Sequence, residues 1–236
     1  MIISPEVNPH ELAGRAELRE RVRVAIQRTR IGRPAKSVII VGLCGVGKTV
    51  LLSQMFMEAK AADIRPIYIE VPENRSLPAI LAPQLRMLLL RLSRLERVKD
   101  SAVLGLKALA GFTKGLKVKF GDIELGVDYE AEPGLADNGD LESDFAILLT
   151  EVGITVRSAG TALVLFIDEL QNVDEEELAA LINALHRISQ LGLPVMLVGA
   201  GLPQLRGRAG NAKSYAERFF DFPEIGPLTT NSKCEA

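Results

Sequence analysis

Two periodicities alternate along the chain. Short β-branched runs, apolar at nearly every position, are separated by longer segments in which apolar residues recur every three or four. Residues 37–41, 67–71, 162–167 and 195–198 are of the first kind. Runs with no polar face belong to strands covered on both sides, as in a parallel sheet. A shorter run at 221–225 predicts a fifth strand, with Pro223 confining it to an edge. The helical spacing is clear in three places. Leu18, Val22, Ala25 and Ile26 share a face before the first strand, and Leu141, Phe145, Leu148, Leu149 and Val152 form a second stripe behind Asp140 as N-cap. Asp174 with Glu177 reads as a capping box opening a third, through Leu178, Leu181, Ile182, Leu185 and Ile188. A further helix is expected from Pro78 through Leu90 to Val98. Strands alternating with helices predict an α/β fold.

One segment interrupts the alternation. Lys117, Val118, Lys119 and Phe120, then Gly121-Asp122, then Ile123, Glu124 and Leu125 read as a β-hairpin. With the polar loop from Gly134 to Gly139, residues 111–139 are expected to project from the sheet as an insertion.

Composition narrows the classes. The 236 residues carry 47% hydrophobic and 25% charged side chains, which fits a globular domain rather than a disordered chain. No apolar run approaches the roughly 18 residues of a membrane span. The N-terminus lacks a basic and then apolar leader, and Cys44 and Cys234 make no disulfide framework, so a cytoplasmic location is expected. The net charge of −2 conceals an asymmetry. Arg15 to Lys36 holds eight basic residues against two acidic ones, whereas Asp122 to Glu151 holds ten acidic residues and no Lys or Arg. A basic face for nucleic acid and two ordinary solvated regions both fit that pattern. The chain has no Trp and 3 Tyr, so stacking platforms for single strands are scarce.

The chemistry begins after the first strand. Gly42-Leu43-Cys44-Gly45-Val46-Gly47-Lys48-Thr49 fits G-x-x-x-x-G-K-[ST] in full. Glycines let backbone N–H groups turn inward on phosphates, Lys48 adds a point charge, and the Thr49 hydroxyl can ligate Mg²⁺. A helix opening there, with Val50 in its first turn, aims its positive end at the same anion. The nucleotide-binding set therefore runs from Gly42 to Val50. At the end of the third apolar strand stand Asp168 and Glu169, where a parallel sheet places its ligand crevice. Asp168 is suited to hold the magnesium and Glu169 to polarise the attacking water. His10 and His186 lack partners at zinc-ligand spacing. Cys44 occupies a variable loop position. Arg206 and Arg208 can reach phosphate or simply be solvated, and Glu70 can couple a partner to Glu169 or be a strand-end charge.

These motifs resemble those of the AAA+ ATPases, closest to the Orc1/Cdc6-like and general-secretion or transposition branches. The resemblance implies a three-layer P-loop core over 1–228 with sheet order 5-1-4-3-2, MgATP as ligand, and slow hydrolysis. His10-Glu11-Leu12-Ala13-Gly14-Arg15 is similar to the segment lining the adenine pocket, which implies Leu12 and Ala13 near the base. Asp168-Glu169-Leu170-Gln171 resembles the family's second acidic motif. Ser214-Tyr215-Ala216-Glu217-Arg218-Phe219 resembles the stretch bearing the arginine finger, which implies Arg218 as a catalytic residue acting on a neighbouring subunit of a homo-oligomer. Two departures stand out. The polar sensor position after the fourth strand falls in Gly199-Ala200-Gly201, for which Gln171 and Gln204 are the candidate substitutes. Only Pro227 to Ala236 follow Gly226, too few residues for the family's helical lid, so a fragment, an early stop and a naturally short form are the open expectations, with 229–236 as a polar tail. A nucleotide switch acting on DNA or a protein partner is the first expectation. A signalling switch that oligomerises, and a module that binds without turnover, are the alternatives. No Asn/Thr-Lys-x-Asp motif supports guanine.

Overall fold

A computed structural model describes residues 15–120 and 129–227. The elements run α1 (Ala16–Arg30), β1 (Ser37–Val41), α2 (Lys48–Ala61), β2 (Arg65–Glu70), α3 (Leu77–Leu92), α4 (Lys99–Phe120), α5 (Leu141–Ser158), β3 (Leu163–Asp168), α6 (Glu175–Gln190), β4 (Val195–Gly201), α7 (Leu205–Ala212), α8 (Ala216–Phe219) and β5 (Phe220–Asp221). The five strands form one parallel sheet in the order β2-β3-β4-β1-β5. Read from the other edge, that is the expected 5-1-4-3-2.

Alternation along each strand divides the core into two layers. Val38, Ile40, Val164, Phe166, Met196 and Val198 face α1 and α2. Ile39, Ile67, Leu165, Ile167 and Leu197 face α3 to α6. Because both faces are covered, the inner strands β1, β3 and β4 are buried at every position, and each fully buried apolar side chain contributes about 1.5–3 kcal/mol. Asp140 caps α5 as expected, its carboxylate accepting the Ser143 N–H at 2.8 Å. Among the described residues, no helix is long and apolar enough to cross a membrane.

Four expectations are corrected. The first arm of the expected hairpin, 117–120, is the last turn of α4, and the second arm lies outside the described residues. Ala102, Leu106, Leu109, Phe112 and Leu116 make a helical stripe into the core. A four-residue alternation at its end does not interrupt a helix already propagating. Residues 111–116 are therefore core helix rather than a projecting insertion. Gly111 lets the following loop return against α4: a Cβ there would stand 2.3 Å from the Leu135 carbonyl oxygen.

Asp174 does occupy the N-cap position of α6, but it makes no side-chain capping bond. Glu177 turns instead to α3, where Oε2 accepts the Leu77 N–H at 2.9 Å beside the Ser76 hydroxyl. The helix from Pro78 stops at Leu92, and a separate 3-10 turn at Glu96–Val98 precedes α4. The fifth strand pairs only at Phe220–Asp221, with a further isolated bridge between Val41 and Glu224. Pro223, lacking an N–H, falls between them and still gives its carbonyl to the Val41 N–H at 3.0 Å.

Candidate nucleotide site

The loop at 42–47 leaves β1 beside β4 and enters α2. Gly45 and Gly47 adopt φ +78° and +84°, left-handed values that glycine takes without strain. Gly42 is needed for a close approach, since a Cβ there would lie 2.5 Å from the Ile225 carbonyl oxygen. Among the described residues, the N–H groups of 43–47 donate to no carbonyl or side chain. A Cβ added at Gly45 would meet nothing within 4 Å. Unpaired donors around an open hollow, ahead of the α2 N-terminus, suit an anion of phosphate size.

Lys48 is 8% exposed, and its Nζ donates to the carbonyls of Gly42 and Leu43 at 3.0 and 2.9 Å. The ammonium is thus folded over the loop that it would share with a phosphate. Thr49 is exposed at the start of α2, Val50 is half-buried beside it, and Leu43, Cys44 and Gly45 are exposed on the loop crest while Val46 is buried. Leu12 and Ala13 lie outside the described residues.

Asp168 and Glu169 emerge at the same edge of the sheet, two strands away across β4. Asp168 is 1% exposed; Oδ1 accepts the Glu169 N–H at 2.9 Å and Oδ2 the Tyr68 hydroxyl at 3.4 Å. Burial and the neighbouring Asp168 raise the Tyr68 pKa, keeping the phenol a donor. Glu169 takes φ +54°, and its carboxylate accepts a bond from Gln171 Nε2. Gln171 Oε1 accepts the Leu202 N–H at 3.2 Å, tying this loop to the end of β4. Among the described residues no three His, Cys, Asp or Glu gather as a metal cage. A magnesium ion here would draw its oxygens from Thr49, from phosphate and from water, with Asp168 behind them.

The expected sensor position has a packing explanation. A Cβ at Gly199 would stand 2.2 Å from Leu170 Cδ1, and one at Gly201 2.2 Å from Leu205 Cδ1 and 2.6 Å from Gln171 Oε1. Leu170 and Gln171 fill the volume that a polar side chain on β4 would need. Gln204 is exposed at the N-cap of α7.

Other residues go elsewhere. The Arg208 guanidinium binds the carbonyls of Gln171 and Val173, so it braces the acidic loop rather than pointing to phosphate. Arg206 lies 3.6 Å from Glu217. Arg218 is exposed on α8 and makes no side-chain hydrogen bond or ion pair among the described residues.

One residue escaped notice at the sequence level. Arg15, only 6% exposed, donates to the carbonyls of Gly47 at 3.2 Å, Val46, and Gly226 at 3.3 Å. Burial lowers its pKa from the ordinary guanidinium value. A charged residue ending the Gly14-Arg15 string, just before an amphipathic helix, was the signal available. Tyr68, a hydroxyl in the second apolar strand run, was a second.

Comparison with known proteins follows the same lines. The AAA ATPase domain profile matches residues 11–198. The fold is similar to that of Cdc6p from Pyrobaculum aerophilum, with 16% identity and a TM-score of 0.50 over 96% of this chain and 48% of that one. It is similar also to the Orc1 protein of Aeropyrum pernix in complex with DNA, with 13% identity and a TM-score of 0.50 over 95% and 47%. At such identities the likeness is one of fold. The chain spans about half the length of these structures. No curated protein matches the sequence.

Proposed function

The chain belongs to the AAA ATPase domain family, and from that premise we propose that it binds MgATP at the 42–49 loop and hydrolyses it slowly. It uses the cycle as a conformational switch on a nucleic-acid or protein partner. The observation that carries this reading is the set of unpaired N–H groups at 43–47, with Lys48 folded over them and two carboxylates on the same sheet edge. With nucleotide bound, Lys48 would leave its carbonyl partners for the phosphates, Thr49 and Asp168 would hold the magnesium, which would supply charge neutralisation, and Glu169 would accept the proton of the attacking water. Arg218, exposed and uncommitted, is free to serve a neighbouring copy. The restraint of Glu169 by Gln171 favours slow turnover. A DNA partner is favoured by the fold shared with the Orc1 protein seen with DNA.

The test is Lys48→Ala titrated with MgATP by calorimetry. Affinity is expected to fall at least tenfold, about 1.4 kcal/mol, with the circular dichroism unchanged. Parental affinity in a folded variant overturns the assignment.

A further inference from the structure

The sheet edge opposite the nucleotide loop is strongly basic. In a parallel α/β sheet every helix that returns to a strand ends at this edge, so the connections α1–β1, α2–β2, α5–β3, α6–β4 and α8–β5 meet there. Along the first four, residues 28–36, 60–65, 157–162 and 187–194, stand eight Lys or Arg and one carboxylate, Asp63. The fifth, 216–221, adds Arg218 and two carboxylates already paired, Glu217 with Arg206 and Asp221 with Arg21. Asp63 lies 3.7 Å from Arg65, one of the eight.

These turns form one continuous rim. Arg30 donates to the Ala62 carbonyl at 3.4 Å, joining α1 to the α2–β2 turn. The Thr161 hydroxyl donates to the Asp63 carbonyl at 2.9 Å, joining that turn to the start of β3. A Cβ at Gly32 would lie 3.5 Å from the Gly192 carbonyl, so the α1–β1 and α6–β4 turns touch. Arg28 and Arg30 are fixed by backbone carbonyls, Pro34 and Ala62, which leaves their charge uncancelled. Arg33, Lys36, Arg157 and Arg187 are exposed and have no ion pair among the described residues. Elsewhere on α1 the arginines are spoken for: Arg19 by Glu58, Arg21 by Asp221 and Arg23 by Glu20. The charge asymmetry of the sequence thus resolves into paired cations along the helix and unpaired ones at its end.

Cations in a last helical turn also offset the helix dipole. That explains Arg157 and Arg187. It does not explain Arg33 and Lys36, which lie beyond the end of α1. We propose that this rim docks the phosphate backbone of duplex DNA. The four strand starts span about 14 Å, three inter-strand spacings of about 4.8 Å, or about four phosphate steps of one strand at 3.4 Å each. The four basic segments contain no aromatic side chain, and Phe219 and Phe220 beside them pack on each other and on His186 and Phe222, so no free ring is offered to unpaired bases, and contact without base readout is expected. The proposal gives the partner of the preceding reading a surface. It rests on that reading for the purpose of the contact, not for the contact itself.

The experiment is fluorescence anisotropy of a labelled 30-base-pair duplex with the whole chain, at several salt concentrations, without nucleotide. Four phosphate contacts predict a log–log salt slope of about −4, an affinity loss of about a hundredfold between 50 and 200 mM salt. Arg33→Glu/Lys36→Glu and Arg157→Glu/Arg187→Glu should each weaken binding more than tenfold and flatten the slope by about two. The first should keep the parental melting temperature, the second should lose a few degrees because it places carboxylates at the negative ends of α5 and α6, and both should keep the parental MgATP affinity. Arg33→Gln/Lys36→Gln should give the intermediate loss of a neutralised pair. No binding at 50 mM salt, or rim variants that bind like the parent, overturns the proposal. So does tighter binding of a single strand of equal length. Binding to phosphatidylserine-containing vesicles with the duplex unbound overturns it in favour of a membrane surface. Lys48→Ala separates the two readings: it should lose nucleotide and keep the duplex.

Discussion

Gln171 donates its side-chain amide to the carboxylate of Glu169, two residues before it, and accepts the Leu202 N–H at 3.2 Å with its other end. One side chain therefore joins the acid at the end of β3 to the first residue beyond β4. That bond holds the Glu169 carboxylate in one orientation and occupies one of its acceptor sites. In Gln171→Ala the carboxylate is released and turnover should rise a few-fold. Thermal stability should fall by about 1 kcal/mol, because the Leu202 N–H loses its acceptor. Parental turnover in a folded Gln171→Ala would show that the bond is only structural.

Glu169→Gln tests the base directly. A positioned general base is worth about 10²–10⁴ in rate. Turnover should fall by at least about a hundredfold while MgATP affinity measured by calorimetry stays within threefold. Parental turnover in this variant removes Glu169 from the mechanism.

Arg15 fixes the far side of the loop. Arg15→Lys keeps the charge but not a planar fork able to reach three carbonyls. Losing these bonds should cost about 1–3 kcal/mol in urea denaturation, and MgATP affinity should drop several-fold. Gly47→Ala should be worse for nucleotide, because φ is +84° and its Cβ would lie 3.0 Å from Arg15 Nη1. Its readout is loss of MgATP binding with secondary structure retained.

Arg218→Ala should leave nucleotide binding intact and lower turnover, by as much as about 10³–10⁵ for a full arginine finger. Each copy of Arg218→Ala retains a sound loop, and each copy of Lys48→Ala retains a sound finger. Mixing the two should therefore restore measurable hydrolysis. A mixture that co-assembles on a sizing column and stays inactive counts against action between copies.

Glu177 gives a pH dependence with a definite sign. Burial raises its pKa, against the lowering by the Ser76 and Leu77 bonds, with Asp174 and Glu176 adding repulsion, and Oε1 has no partner. A carboxyl that binds its proton more tightly folded than unfolded loses stability as pH rises from about 4.5 through its folded value. Relative to Glu177→Gln, the parental chain should therefore become less stable as pH increases from 4.5 to 7. Urea midpoints of the two proteins that stay parallel across that range would show that the group does not titrate there.

The strands and the phosphate loop were legible because their signals are local. A run apolar on both faces and an eight-residue glycine pattern each fix their own geometry. What was missed depended on distant packing. Lys117 to Phe120 alternates like a strand, yet the helical stripe from Ala102 to Leu116 carries the backbone on as α4. Glu177 stands at capping-box spacing, but the N-terminus of α3, a hundred residues earlier, offers it a buried donor. The glycines of β4 gave no hint that Leu170 and Gln171 would occupy the sensor volume. Nor does spacing along the chain show that Arg208 would brace carbonyls behind the acidic pair.

The bond from Arg15 to the Gly226 carbonyl has a mechanical consequence. The same guanidinium grips Val46 and Gly47, so the entrance to α1 and the exit from the sheet share an anchor on the phosphate loop. Whatever polypeptide continues past Pro227 leaves from a point that one guanidinium joins to the phosphate loop. A shift of the loop on filling would swing that exit like the short arm of a lever. The longer the rigid segment attached there, the further its distal end would travel at each nucleotide exchange.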